Sequence, residues 1–119
     1  MKHYEKETQI LLRQLGANGS YIGFRYMVYS IAKTIREPEL VTYICKGLYV
    51  DISLHFCVKV SSVERNIRTI VNIIWQYGDR KLLNEIFGRE LTEKPRNAMF
   101  IDALSQYILE QCKEKDQPN

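Results

Sequence analysis

Residues 48–68 read Leu48-Tyr49-Val50-Asp51-Ile52-Ser53-Leu54-His55-Phe56-Cys57-Val58-Lys59-Val60-Ser61-Ser62-Val63-Glu64-Arg65-Asn66-Ile67-Arg68, and the fold turns on this stretch. Its first part alternates. Leu48, Val50, Ile52, Leu54, Phe56, Val58 and Val60 are interleaved with Tyr49, Asp51, Ser53, His55, Cys57 and Lys59. A period of two places every apolar side chain on one face of an extended chain, and the β-branched content suits a strand. A helix would use only Leu48, Ile52 and Phe56, at i, i+4 and i+8. Local evidence alone predicts a strand over 48–60.

From Ser61 the pattern changes. Ser61 and Glu64 form an S-x-x-E capping box, in which each side chain satisfies a backbone N–H at a helix start. Val63, Ile67, Ile70, Val71 and Ile74 then make an apolar stripe that ends near Tyr77-Gly78. The opposite face carries Ser62, Arg65, Asn66, Arg68, Thr69, Asn72 and Gln76. A helix with a capped start, charged first turns and an aliphatic back has what a DNA-reading helix needs, because its N-terminal turns enter the major groove while the core holds its back. Arginine reads guanine there through two parallel hydrogen bonds. The pattern equally fits a solvated amphipathic helix, so the polar face by itself leaves both readings open.

Outward from this centre, glycine and proline punctuate a series of helices. Leu11, Leu12 and Leu15 follow helical spacing from Tyr4 and stop at Gly16, a C-terminal cap. Ser20 is placed to cap a second helix that runs to about Arg36, with Tyr21, Phe24, Met27, Val28, Ile31 and Ile35 inward. Pro38 opens a third, from Glu39 to about Gly47, with Leu40, Ile44 and Leu48 inward. A short helix from Arg80 to Phe87 stops at Gly88. Lys94-Pro95-Arg96-Asn97 leads into a last helix that buries Phe100, Ile101, Leu104, Ile108 and Cys112.

The chain has 119 residues, 45% of them hydrophobic and 26% charged, which suits one globular core needing neither metal nor disulfide staples. The expected organisation is a domain over 1–112 with a polar, frayed tail over 113–119. No apolar run approaches the length that spans a bilayer, and the N-terminus lacks the apolar stretch of a signal peptide, so a cytoplasmic protein without a membrane partner is expected. The net charge of +3 favours acidic partners only mildly. The positive excess lies in residues 1–78; residues 79–119 hold one more acidic than basic group.

Chemistry other than binding finds little support. There is no G-x-S-x-G, P-loop, G-x-G-x-x-G or H-E-x-x-H. Three cysteines without a C-x-x-C pair argue for reduced thiols and against a zinc site. Cys57 beside His55 suggests an imidazole-activated thiol, but residues at i and i+2 share a face only in a strand. Cys45, His55 and Cys57 as metal ligands want a fourth at usable spacing. The eight tyrosines could stack on bases, yet Tyr21 and Tyr107 occupy helical positions where half-buried packing is simpler. No catalytic residue, cofactor or metal is expected.

Leu15-Gly16, Ile22-Gly23-Phe24-Arg25-Tyr26-Met27, Leu48-Tyr49-Val50-Asp51-Ile52 and Ser61-Ser62-Val63-Glu64-Arg65-Asn66-Ile67-Arg68, followed by Trp75, Gly78, Phe87-Gly88, Lys94-Pro95, Asn97 and Phe100-Ile101, occur in an order and spacing that resemble a known family. It is the C-terminal DNA-binding effector domain of the sporulation initiation regulators, the stage-zero sporulation protein A family of endospore-forming bacteria, and the likeness runs from about Thr8 to Leu109. The resemblance implies an all-α, compact multi-helix domain with a central helix-turn-helix. Tyr49 to Phe56 is then the supporting helix, Cys57 to Val60 the turn and Ser61 to Tyr77 the recognition helix, which overrides the strand predicted locally.

The same resemblance implies a sequence-specific double-stranded-DNA-binding transcription regulator. Glu64 and Arg65 match family positions that contact bases, and Arg68 matches one near the DNA backbone. Lys59, Ser61 and Arg68 are expected at phosphates, with Ser62 and Thr69 on the same face. Two residues depart from the family pattern. Ser62 stands where an arginine is usual, which leaves direct readout one arginine short, and Val50 replaces a proline at the start of the supporting helix. Family members carry a receiver domain ahead of this one and bind tandem boxes as paired protomers. This chain has no room for a receiver, which is itself the size of a domain, so it is either an excised fragment or a stand-alone effector. The expectation is a stand-alone effector able to form a homodimer on tandem boxes. The competing reading is a protein-interaction module that pairs with a full-length regulator and modulates it.

Overall fold

The computed structural model describes residues 4–116, and seven helices account for its regular structure. They are α1 (Tyr4–Leu15), α2 (Ile22–Arg36), α3 (Glu39–Thr42), α4 (Leu48–Phe56), α5 (Val60–Tyr77), α6 (Arg80–Phe87) and α7 (Asn97–Asp116). Among the described residues there is no strand. The domain is all-α, as the resemblance implied. Lys113 to Asp116 are helical, and residues 117–119 of the expected tail lie outside the described residues.

α2 is the hub and packs against α1, α4, α5 and α7. Its inward residues Phe24, Met27, Val28 and Ile31 are buried as their spacing predicts, and Ile35 is half-buried. α5 contributes Val63, Ile67, Ile70, Val71 and Ile74, all buried. Each fully buried aliphatic side chain stabilises by about 1.5–3 kcal/mol relative to an exposed one, so this stripe anchors α5 firmly. Close approach of α2 and α5 depends on Gly23, where a Cβ would stand 2.1 Å from the Asn66 carbonyl oxygen. Phe100, Ile101, Leu104, Ile108 and Cys112 of α7 complete the core.

The alternation over 48–60 does not produce a strand because its apolar set divides. Leu48 and Ile52 are fully buried and Phe56 is half-buried, whereas Val50, Leu54 and Val60 are exposed. The i, i+4, i+8 subset and the neighbouring Tyr49 turn to the core and α4 forms around them, while Val58 packs against the core from the turn that follows.

Other details also differ from expectation. The third helix stops at Thr42 rather than near Gly47, and a string of turns leads to α4. Within those turns the Gly47 N–H donates to the Tyr43 carbonyl and the Tyr49 N–H to that of Ile44. The β-branched pair Val41-Thr42 offers little intrinsic support for a longer helix. Ser20 does not cap α2: the N-cap is Tyr21, and the Asn18 side chain instead accepts from the Ser20 N–H at 2.9 Å. Tyr21, expected inward, is therefore exposed. Gly16 does end α1, with φ +115° and the Ala17 N–H donating to Leu12.

Candidate nucleic-acid interface

α4, a three-residue turn and α5 make the helix-turn-helix. α4 ends at Cys57 in the left-handed region, φ 56° and ψ 48°, with its N–H donating to the Ser53 carbonyl. The Val58 N–H donates to the same carbonyl at 3.1 Å, while the Ser53 hydroxyl donates to the Val58 carbonyl. These bonds absorb the orphan carbonyl end of α4 and reverse the chain. Lys59 is then extended, φ −73° and ψ 146°, and α5 begins at Val60.

That start lies one residue earlier than predicted, and it removes the capping box. Lys59 is the N-cap and no side chain caps the helix. With the register shifted, Ser61 sits inside the first turn, where its hydroxyl no longer reaches the amide of Glu64. The Glu64 carboxylate is taken by Arg68, one turn on, at 2.5 Å. The Ser62 and Val63 N–H groups both donate to the Lys59 carbonyl, which leaves the Val60 and Ser61 amides without a helical partner at the helix start, next to the exposed Lys59 and Ser61 side chains.

The structure brings the seven expected residues together on one side of the turn and the first half of α5. Lys59, Ser61, Arg65, Arg68 and Thr69 are exposed, and Ser62 and Glu64 are partly so. Arg65 has no side-chain partner among the described contacts; its carbonyl accepts from the Thr69 hydroxyl at 3.0 Å. Ser62 accepts from the Asn66 side chain at both its carbonyl and its hydroxyl, at 2.8 and 3.2 Å. Behind them Val63, Ile67 and Ile70 are completely buried. The polar residues therefore stand on a surface with no freedom to roll inward.

One edge of α5 carries more than the sequence suggested. Asn97 donates to the Tyr49 hydroxyl at 2.9 Å and to the Glu64 carbonyl at 3.4 Å, so the start of α7 is fastened to both helices of the motif. Burial pushes the Tyr49 phenol above its ordinary value, and the Asn97 bond opposes that rise. Lys94 reaches Asn72 at 2.5 Å. Segment 94–97 thereby runs alongside Glu64, Arg68 and Asn72 and adds Lys94 and Arg96 to that edge. The sequence showed two cations astride Pro95 before a helix, but only tertiary contact places them here.

The discounted constellations stay apart. His55 stacks on Tyr29 with ring centres 4.3 Å apart, whereas the Cys57 thiol lies against the Leu54 carbonyl. Cys45 and Cys57 are exposed and Cys112 is buried. Among the described residues no group of three or more His, Cys, Asp or Glu side chains could hold a metal ion, and no helix is long and apolar enough to cross a membrane. Compared with known families, residues 8–108 match the model described as sporulation initiation factor Spo0A, C terminal.

Proposed function

The chain belongs to the family of Spo0A C-terminal domains, which are DNA-binding effector domains rather than enzymes, and from that premise we propose that it regulates transcription by reading duplex DNA through the first two turns of α5. One observation carries this reading: Glu64, Arg65 and Arg68 face outward from a helix whose back, Val63, Ile67 and Ile70, is fully buried. In this reading α5 lies in the major groove. Arg65, unpaired and exposed, meets the two acceptors of a guanine, and Glu64 accepts from a cytosine amino group once Arg68 turns to a phosphate. Lys59 and Ser61 flank the helix start, where phosphates favour exposed amides. Ser62 and Thr69 line the same face. Protomers pair on tandem boxes.

Selection of bound fragments from genomic DNA tests the reading. Enriched fragments sharing a short box, bound better as duplex than as single strands, are expected. A flat selection at moderate salt would contradict it.

A second reading rests on different residues. Ser62 withholds an arginine from readout, and Val50 and Leu54 present apolar side chains outward from α4, Leu54 at 74% exposure. A surface of this kind suits a module that docks on a full-length regulator. A flat selection together with saturable binding to such a regulator would favour it.

A further inference from the structure

A cleft of about 460 Å³ lies beside the recognition helix, between α4, α5 and the segment that opens α7. Arg68, Lys94 and Arg96 line it, together with Tyr49, Asn97 and one carboxylate, Glu64. Glu64, Arg68 and Asn72 are four residues apart, so they descend one edge of α5 at about 6 Å per step. Segment 94–97 follows the same edge in the opposite direction, fixed at one end by Asn97 on Glu64 and at the other by Lys94 on Asn72. Pro95 between them is buried, and the Arg96 carbonyl accepts from the Phe100 N–H, which ties the backbone into α7. The cations are thus held on a rigid ledge. Lys94 and Arg96 are themselves exposed.

We propose that this cleft seats the phosphodiester backbone of the duplex flanking the groove that α5 enters. Charge is the first argument: three cations face one carboxylate, and that carboxylate leaves the cleft's field when Glu64 turns to a base. Position is the second. The ledge runs beside Arg68, between its anchor points at Glu64 and Asn72, so one strand seated in the cleft can meet Arg68, Arg96 and Lys94 together. The exposed Glu64–Arg68 pair is weak, worth about 0–1 kcal/mol, so releasing Arg68 to a phosphate costs little. The inference rests on the DNA-reading proposal above and extends its footprint from α5 to the start of α7.

The test is a salt titration of duplex binding for the wild-type protein, for Lys94→Gln/Arg96→Gln, and for Lys113→Gln as a control on an exposed cation at the far end of α7. Each phosphate contact contributes about 0.9 to the slope of log affinity against log salt. The double variant should lose about two units of slope, bind a selected box and a scrambled duplex more weakly by the same factor of about ten or more near 0.1 M salt, and keep its preference between them. Lys113→Gln should match wild type. Wild-type binding with an unchanged slope in the double variant would overturn the cleft alone. A wild-type protein with no salt-dependent duplex binding would instead remove the reading beneath it. Inorganic phosphate separates a further source: saturation of the Asn97 and Ala98 amide shifts below millimolar phosphate, with duplex affinity indifferent to the double variant, would mark a small-anion site and overturn the proposal.

Discussion

Glu64 and Arg68 hold each other in the free protein, and both must let go for the interface to work as proposed. Their pair is exposed on both sides, so water already competes for it. Arg68→Ala should therefore leave the fold intact, weaken all duplexes alike, and reduce the salt slope by about one contact. A titration in which Arg68→Ala alters the preferred sequence and leaves the slope unchanged would assign it to bases instead. Cys57 raises a separate question of backbone conformation. It is the one non-glycine residue at positive φ among the described residues, and the left-handed region costs an ordinary L-residue about 1–2 kcal/mol. Glycine avoids that cost but adds about 0.5–1 kcal/mol of unfolded-state freedom. Because the side chain is exposed, Cys57→Gly should stabilise the protein by about 0.5–1 kcal/mol, read as a higher denaturant midpoint. A lower midpoint would show that the thiol contact to Leu54 contributes more than its 3.9 Å length suggests.

At the scale of elements, the α2–α5 contact decides whether the recognition helix is held in place. Gly23→Ala puts a methyl against the Asn66 carbonyl and within 2.9 Å of the Ile70 side chain, so the two helices must separate. A loss of about 2 kcal/mol or more in chemical denaturation is expected, in the upper range for overpacking. A near-neutral result would mean that α2 can slide without cost. The same level shows what the sequence made legible. The stripe Val63, Ile67, Ile70, Val71 and Ile74 announced α5, and glycines 16 and 88 announced two helix ends, because these signals are local. The 48–60 stretch misled because Val50, Leu54 and Val60 are apolar yet exposed, and no local rule says which members of an apolar series the core will accept. The resemblance corrected that reading; periodicity could not. The capping box failed because the turn at Cys57 and Lys59 sets the N-cap at Lys59, two residues before Ser61. Lys94 and Arg96 were visible as cations, but their place beside Arg68 depends on how α7 docks some 25 residues later.

For the molecule as a whole, a net charge of +3 makes the interface depend on where cations gather rather than on a broad basic surface. Lys59, Arg65, Arg68, Lys94 and Arg96 gather along α5 and its edge, so duplex affinity should fall steeply with salt but by only a handful of contacts. Stability has its own pH limit. Burial raises the phenols of Tyr49 and Tyr29 above their usual value near 10, with Asp51 adding to the rise at Tyr29. Their neutral forms are favoured in the folded state, so that contribution is fully present below pH 10 and is lost as pH climbs through the raised values. Thermal melts between pH 8 and 11 should show a falling midpoint above pH 10, and Tyr49→Phe should lessen the fall; an equal fall in the variant would acquit Tyr49. The central claim, that α5 reads sequence from the major groove, is tested most directly by the affinity ratio between a selected box and a scrambled duplex, measured for wild type and Arg65→Ala. The account predicts that Arg65→Ala loses about 1–3 kcal/mol of discrimination while its fold and scrambled-duplex affinity stay close to wild type. If the two affinities fall together and the ratio survives, Arg65 touches only phosphate and α5 does not read bases through it.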